Sequence, residues 1–342
     1  MRESIITKKL PFVIAEIGHN HQGSVELAKK MIMEANNCGA SAVKLQKRNN
    51  KKLYTKEMYN SIYNSENSYA KTYGEHRDYL EFDKNQYLEL KKYSEELGII
   101  FFSTPFDIES VEFLEDIDIP FYKIASADIT NLPLQEKLSE TGKPIILSTG
   151  ASELDDVKRA YEVITKKNQD LYILHCTASY PADIADMNLN CITTLKKTFP
   201  NNIIGLSDHE NGIDAASIAF MLGARIFEKH FTLNRSWKGT DQSFSLEPAG
   251  LKKLIRNINR IPQMLGSGTK KVLESEKKPI KKMAKSIVAI KNLKQGTIIE
   301  NQNITFKSPG GGLEPYHRDS IIGKKLKVDK DKDELINFED LD

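Results

Sequence analysis

The sequence predicts an α/β protein, a TIM (β/α)₈ barrel followed by a small C-terminal β-rich domain. Three observations carry that prediction. Eight short apolar runs alternate with helical-period segments from about Pro11 to Leu233. The sequences GxGxxG and GxxxxGKS/T, marks of open nucleotide-binding sheets, are both absent. The chain has 342 residues, more than the roughly 250 that one barrel needs.

The runs are Phe12–Ile17, Ala42–Gln46, Ile99–Thr104, Pro120–Ile124, Pro144–Ser148, Leu171–Cys176, Ile203–Leu206 and Arg225–His230. Several are rich in Val, Ile and Phe, as strands buried on both faces require. Between them Val25–Asn37, Lys84–Leu97, Glu153–Thr165 and Gly212–Leu222 space their apolar residues by three and four, the period of an amphipathic helix. Ser24 and Ser152 are placed to cap the helices that follow them. Lys47–Phe82 is polar and reads as a long loop on the C-terminal face of the barrel, where active sites lie.

The lysine-rich stretch Lys270–Lys282 reads as a connector. After it come short β-like pieces, Lys285–Ile290, Gly296–Ile299, Ile304–Phe306 and Leu326–Val328, divided by Gly, Pro and Asn turns. The expected domains are a barrel over 1–268, a linker over 269–283 and a β-rich domain over 284–342. About 60 residues make a marginal core alone, so docking onto a barrel is expected.

Apolar residues make up 39% and charged residues 28%, with a formal net charge of +2. Such a near-balanced charge points to neither nucleic acid nor an anionic membrane. Three cysteines, Cys38, Cys176 and Cys191, form no CxxC pair, and an odd number argues against a disulfide framework. Met1–Leu10 is polar with no signal-like apolar run, and no 18-residue apolar stretch occurs. A reducing cytoplasm is the expected location.

In a TIM barrel, functional groups gather at strand C-termini. The parsed strands end on Glu16, on Lys44 and Gln46, on Ser103 and Thr104, and on Lys123 and Ser126 with Asp128 next. The later strands end on Ser148, on His175, Thr177 and Tyr180, on Ser207, Asp208 and His209, and on Glu228 and His230. Two lysines among several hydroxyls make a site for a phosphorylated or carboxylated anion. His209 and His230, on neighbouring strands, suit a divalent metal with open positions for water and substrate. Glu16, Asp128 and Asp241 can accept protons or hold sugar hydroxyls. Cys176 reads as a small buried hydrophobe rather than a nucleophile, and His19 and His21 as closing the first βα turn.

The motifs Ala15-Glu-Ile-Gly-His-Asn-His-Gln-Gly23, Val43-Lys-Leu-Gln46, Ser103-Thr-Pro-Phe106, Tyr122-Lys-Ile-Ala-Ser126, Leu147-Ser-Thr-Gly150, His175-Cys-Thr177, Gly205-Leu-Ser-Asp-His209 and Glu228-Lys-His-Phe231 occur in this order. In them the chain resembles the N-acetylneuraminate (sialic acid) synthase family, which includes legionaminic and pseudaminic acid synthases. Lys285-Ser-Ile-Val-Ala289 and Pro309-Gly-Gly-Gly312 resemble that family's antifreeze-like (SAF) domain.

The resemblance implies condensation of phosphoenolpyruvate with an N-acylated mannose-like sugar. It places Lys44 and Lys123 on phosphoenolpyruvate, with Thr104, Ser126, Ser148 and Ser207 around it. It places His209 and His230 on the metal, with Mn²⁺ expected and Mg²⁺ or Co²⁺ as alternatives. Asp128 is the candidate for proton transfer. By the resemblance Glu16 falls at an acidic position by the metal, and Gln46, Tyr180 and Asp241 lie near the sugar. It also implies a domain-swapped homodimer.

Three departures bear on the substrate. Ala178 stands where an Asn often follows the His-Cys-Thr motif, and Asp128 where Glu is frequent. Ser308 replaces the Arg that usually precedes the Pro-Gly motif and reaches the N-acyl group, leaving Lys307 or Arg318 as substitutes. A diacetamido-trideoxy hexose, as for a legionaminic or pseudaminic acid synthase, is the alternative substrate. Further alternatives are a metal-dependent aldolase or isomerase and a catalytically silent sugar- or phosphate-binding protein.

Overall fold

A computed structural model describes residues 11–342. Met1–Leu10, and so the reading of a polar N-terminus, lie outside the described residues. Eight parallel strands close in chain order: β1 Phe12–Gly18, β2 Ala42–Lys47, β3 Ile100–Pro105, β4 Tyr122–Ile124, β5 Ile145–Ser148, β6 Leu171–Cys176, β7 Ile204–Asp208 and β8 Ile226–His230. β1 pairs with both β2 and β8, so the sheet has no edge. Each of the eight apolar runs is a strand, with ends displaced by at most two residues.

The helices between strands follow from their sequences. The helix α1 (Val25–Cys38) starts where Ser24 Oγ accepts the Leu27 amide and stops at Gly39, whose φ is +89°. Its Ala28, Met31, Ile32 and Ala35 are buried, the stripe that a 3.6-residue period presents to the sheet. At the later helix over Leu154–Thr165 the cap differs from expectation. Glu153 is the N-cap, and Ser152 instead donates its Oγ hydrogen to the Thr149 carbonyl at 2.9 Å.

Side-chain alternation divides the barrel core into two layers. Phe12, Ile14, Ala42, Phe102, Phe121, Ile146, Tyr172, Leu174 and Ile226 fill the lumen. Their sequence neighbours, among them Val13, Ala15, Val43, Phe101, Tyr122 and Ile173, pack outward with the helices. A period of two leaves no other choice.

The insertion after β2 departs from the expected loop. It folds into α2 (Asn50–Leu53), α3 (Lys56–Asn60) and α4 (Tyr73–Leu80), which precede α5 (Lys84–Leu97). A Thr72–Glu75 capping box starts α4. An aromatic cluster fixes the segment. Tyr69 and Tyr79 stack at 4.9 Å, Tyr63 meets Tyr73 edge-on at 5.3 Å, and His76 Nδ1 accepts the Tyr69 amide at 3.1 Å.

The chain divides into two compact units, one reaching Met264 and one over Leu265–Asp342. The second includes the whole of the expected linker, which is not bare. A 3₁₀ turn spans Glu274–Glu276 and a helix spans Lys277–Met283. In this unit Ser286–Ala289 pairs antiparallel with Ile304–Lys307 over a core of residues such as Ile287, Ile299, Ile321 and Ile336. Gly296–Ile299 and Leu326–Val328 form single bridges rather than strands, Ile298 with Lys325 and Leu326 with Leu341. Among the described residues no helix is long and apolar enough to cross a membrane.

Candidate active site

The same alternation that sets the lumen core places the polar groups. In β1 the inward residues are Phe12, Ile14 and then Glu16; in β2 they are Ala42, then Lys44 and Gln46. In β3, β4 and β5 the inward series end on Thr104, Lys123 and Ser148, and β8 ends on Glu228 and His230. The strands thus carry an apolar plug below and an ionisable layer above. That layer lines a cavity of about 360 Å³, in the range of small-molecule sites. Ser103, His175 and Asp208, also read as mouth groups, have the opposite parity. Ser103 meets the Tyr87 hydroxyl, His175 meets the Met187 carbonyl, and Asp208 pairs with Lys229 at 2.7 Å behind the sheet.

Two lysines lie at the centre of the layer. Lys44 Nζ is 2.7 Å from Glu16 Oε2 and donates to Thr104 Oγ1 at 2.8 Å. Lys123 Nζ donates to Glu228 Oε1 at 3.2 Å, and Lys44 lies 3.7 Å from the same oxygen. All five side chains are buried. Burial alone would raise the Glu228 carboxyl, yet Lys123 and Lys44 outweigh it and pull it down to about 2. Burial pushes the Lys123 ammonium down from its ordinary value, against the pull of Glu228. The carboxylates thus let two ammoniums stay buried. Glu228 Oε2 and Ser148 Oγ remain buried without hydrogen-bond partners, which leaves polar atoms for a ligand to meet.

The hydroxyl ring needs small neighbours. Ser126 Oγ accepts the Gly150 amide at 2.9 Å, and a Cβ at Gly150 would stand 2.8 Å from that oxygen. Gly18 has a φ of +52°, and a Cβ there would lie 3.1 Å from Glu16 Oε1 and 3.2 Å from Gln46 Nε2. Ser207 lines the same cavity.

His209 and His230 meet at 5.3 Å between ring centroids. His209 Nδ1 is 2.8 Å from the Thr177 carbonyl, which fixes a proton on that nitrogen and leaves Nε2 with its lone pair. Burial, and then His230, pull His209 down to about 3. His230 Nδ1 is buried without a hydrogen bond, 3.6 Å from Asp241 Oδ2. Imidazoles with unbonded nitrogens suit a divalent metal. Among the described residues no group of three or more His, Cys, Asp or Glu is arranged to hold one, so the two histidines would share it with water or substrate oxygens. Tyr180 covers them, its ring 4.2 Å from His209.

Of the expected site residues, the cavity brings together Glu16, Lys44, Gln46, Thr104, Lys123, Ser126, Ser148, Tyr180, Ser207, His209, His230 and Asp241. Asp128 is not in the lining. It closes the 3₁₀ turn Ser126–Asp128, accepts from Asn131 Nδ2 at 2.9 Å and keeps Oδ2 buried without a partner. Burial raises its carboxyl. Lys307 belongs to the second unit, where it pairs with Asp333 at 2.5 Å. The cavity adds Glu228, Arg48 and Arg77 to the expected set. Glu228 has the lumen parity of His230, and Arg48 follows Gln46 by two, so both were findable from alternation. Arg77 comes from the folded insertion and carries no such signal.

A closed parallel barrel with buried lysines, hydroxyls and paired histidines at its mouth defines a TIM-barrel enzyme acting on small anions. Residues 31–270 match the NeuB family and residues 284–342 the SAF domain. The human N-acetylneuraminate-9-phosphate synthase is 40% identical over 97% of this chain and 92% of its own length. The N,N'-diacetyllegionaminic acid synthase of Campylobacter jejuni is 38% identical over 96% of this chain and 99% of its own. The N-acetylneuraminic acid (sialic acid) synthetase of Leptospira borgpetersenii, solved with citrate, superposes with a TM-score of 0.68 at 36% identity, over 79% of this chain and 90% of that one. The chain belongs to the NeuB family of sialic and related nonulosonic acid synthases.

Proposed function

We propose that this enzyme condenses phosphoenolpyruvate with the open-chain form of an N-acylated mannose-like sugar, giving a nonulosonic acid and phosphate. The observation that carries this reading is the buried Lys44–Lys123 pair, set in a ring of hydroxyls beside two histidines. Lys44, Lys123, Thr104, Ser126, Ser148 and Ser207 bind the phosphate and carboxylate of phosphoenolpyruvate. Gln46, Asp241 and Tyr180 orient the sugar hydroxyls. His209 and His230 would hold a divalent cation, Mn²⁺ by preference with Mg²⁺ or Co²⁺ as alternatives, which when bound supplies Lewis acidity toward the aldehyde oxygen.

In the reaction, C3 of phosphoenolpyruvate forms a bond to the aldehyde carbon, whose oxygen takes a proton. Water adds to C2, and the C2–O bond to phosphate then breaks. Rate enhancement comes from positioning and from charges fixed in a dry lumen. Asp128, with its carboxyl raised by burial, is the proposed proton-transfer group. Asp128→Asn should abolish turnover while phosphoenolpyruvate still binds. An active variant would return the role to a cavity carboxylate such as Glu16. The enzyme is further proposed to work in the cytoplasm as a homodimer, the partner's small domain covering the mouth and Lys307 standing in for the usual arginine. Sedimentation at the monomer mass would remove that part.

The test of the reaction is phosphate release from phosphoenolpyruvate with Mn²⁺ and either N-acetylmannosamine or a 2,4-diacetamido-trideoxy mannose, with and without EDTA. EDTA-sensitive release dependent on one sugar is expected and names the substrate. A folded protein that releases phosphate with neither sugar contradicts the proposal and favours a silent binding protein.

A further inference from the structure

We propose that Asn67 and Tyr69, from the insertion after β2, are positioning residues that latch the loop after β8 and thereby set the acceptor-sugar end of the cavity. This rests on the condensation proposed above, in which Asp241 orients the sugar hydroxyls.

The two ends of the cavity are built differently. Lys44 and Lys123 stand on strands, and so do their partners Glu16, Thr104 and Glu228. The closed sheet holds that end. Thr240 and Asp241 instead belong to the loop between β8 and the helix Pro248–Leu265. Three side chains from outside this loop grip it at two consecutive residues. Tyr69 Oη donates to the Lys238 carbonyl at 2.6 Å, and Gln22 Nε2 donates to the same oxygen at 2.7 Å. The Gly239 amide donates to Asn67 Oδ1 at 3.0 Å. The Lys238 ammonium lies 4.9 Å over the Tyr69 ring, and that ring stacks on Tyr79 of α4. Tyr69 thus joins the insertion to the loop by ring and hydroxyl alike. Gly239 has a φ of +149°, a conformation that a side chain would resist, and Thr240 follows it into the cavity lining.

On its other side the segment ends in the core. Gln242 has no exposure and donates to the Asn20 carbonyl at 3.0 Å, and Ser245 Oγ donates to the Asp241 carbonyl at 2.5 Å. Thr240 and Asp241 therefore bridge the latch and a buried anchor. Thr240 Oγ1 donates to Asp241 Oδ1 at 3.0 Å, so the latch reaches the carboxylate through one hydroxyl. Asp241 Oδ2 faces His230 Nδ1 at 3.6 Å. A loosened latch would move this carboxylate and leave both lysines in place. Groups that orient a substrate act through such placement, and small errors in it weaken the reaction.

The test measures kcat/KM for the reacting sugar at saturating phosphoenolpyruvate, and for phosphoenolpyruvate at saturating sugar. Tyr69→Phe and Asn67→Ala should each lower the first about threefold to tenfold, the scale of one hydrogen bond, and leave the second unchanged. Asn67→Asp keeps an acceptor for the Gly239 amide and should behave as the unaltered enzyme. Tyr59→Phe should change neither constant, because its hydroxyl bonds Asp78 within the insertion. A loss in both constants alike, or in neither, overturns the proposal. Trp237, the single tryptophan, is half-buried and immediately precedes Lys238, so it reports the latch without turnover. Acrylamide should quench its fluorescence more readily in the variant carrying both Tyr69→Phe and Asn67→Ala, and unchanged quenching overturns the latch. Increased quenching with an unmoved kcat/KM for the sugar overturns the link to the acceptor. If neither sugar reacts with the unaltered enzyme, the condensation fails, and the quenching then decides the latch by itself.

Discussion

At the scale of the residue, the site is a matter of parity. Glu16, Lys44, Lys123, Ser148 and Glu228 occupy inward positions one step above the lumen plug, and His230 stands two steps above it. The lysines and histidines were legible because polar residues closing apolar strands stand out. Asp128 lies outside the cavity lining because the 3₁₀ turn after β4 breaks the alternation. His209→Ala should abolish turnover and leave far-ultraviolet circular dichroism unchanged, since that ring meets one carbonyl and the rings of Tyr180, His230 and Phe244 rather than a strand hydrogen bond; a variant that still turns over would remove the metal-binding role. Lys123→Met should destabilise the fold by about 3 kcal/mol, the cost of leaving a buried carboxylate short of its partner, read as a lower urea midpoint. Glu228 also fixes an acid limb. Its folded carboxyl is held near 2, below its ordinary value of 4.5, so the stability it contributes is complete above about 4.5 and falls away as the pH drops toward 2. Urea midpoints should decline over that window, and Glu228→Gln should flatten the decline.

At the scale of the element, strands and long helices were readable because their apolar spacing is forced by burial on both faces of the sheet. The insertion over 47–82 was not. Its helices are five to eight residues or shorter, with little buried apolar surface. Tyrosine stacking around His76 holds them, a contact with no periodic signature. The helix Lys277–Met283 in the expected linker likewise buries no side chain. Burial and then Arg77 pull His76 down to about 4 from 6.5. The folded segment therefore resists a proton that the unfolded chain accepts below 6.5, and its stability falls between pH 6.5 and 4. Limited proteolysis within this segment should accelerate over that range. His76→Gln should remove the pH dependence, and an unchanged profile would place its cause elsewhere.

At the scale of the molecule, two units each with a core were expected from the change of style near residue 284, and each has its own buried cluster. The first unit depends on its lumen plug. Phe102→Ala, at a side chain with no exposure directly beneath the ionisable layer, should cost about 3–5 kcal/mol and lower the thermal midpoint. The whole account turns on one bond, the C2–O bond of phosphoenolpyruvate, broken after C3 has joined the sugar. Phosphoenolpyruvate carrying ¹⁸O in the bridging position decides it, with the released phosphate read by the isotope shift in its phosphorus resonance. The account predicts that the label leaves with phosphate. Unlabelled phosphate would mean cleavage at phosphorus and would contradict the mechanism drawn from this site.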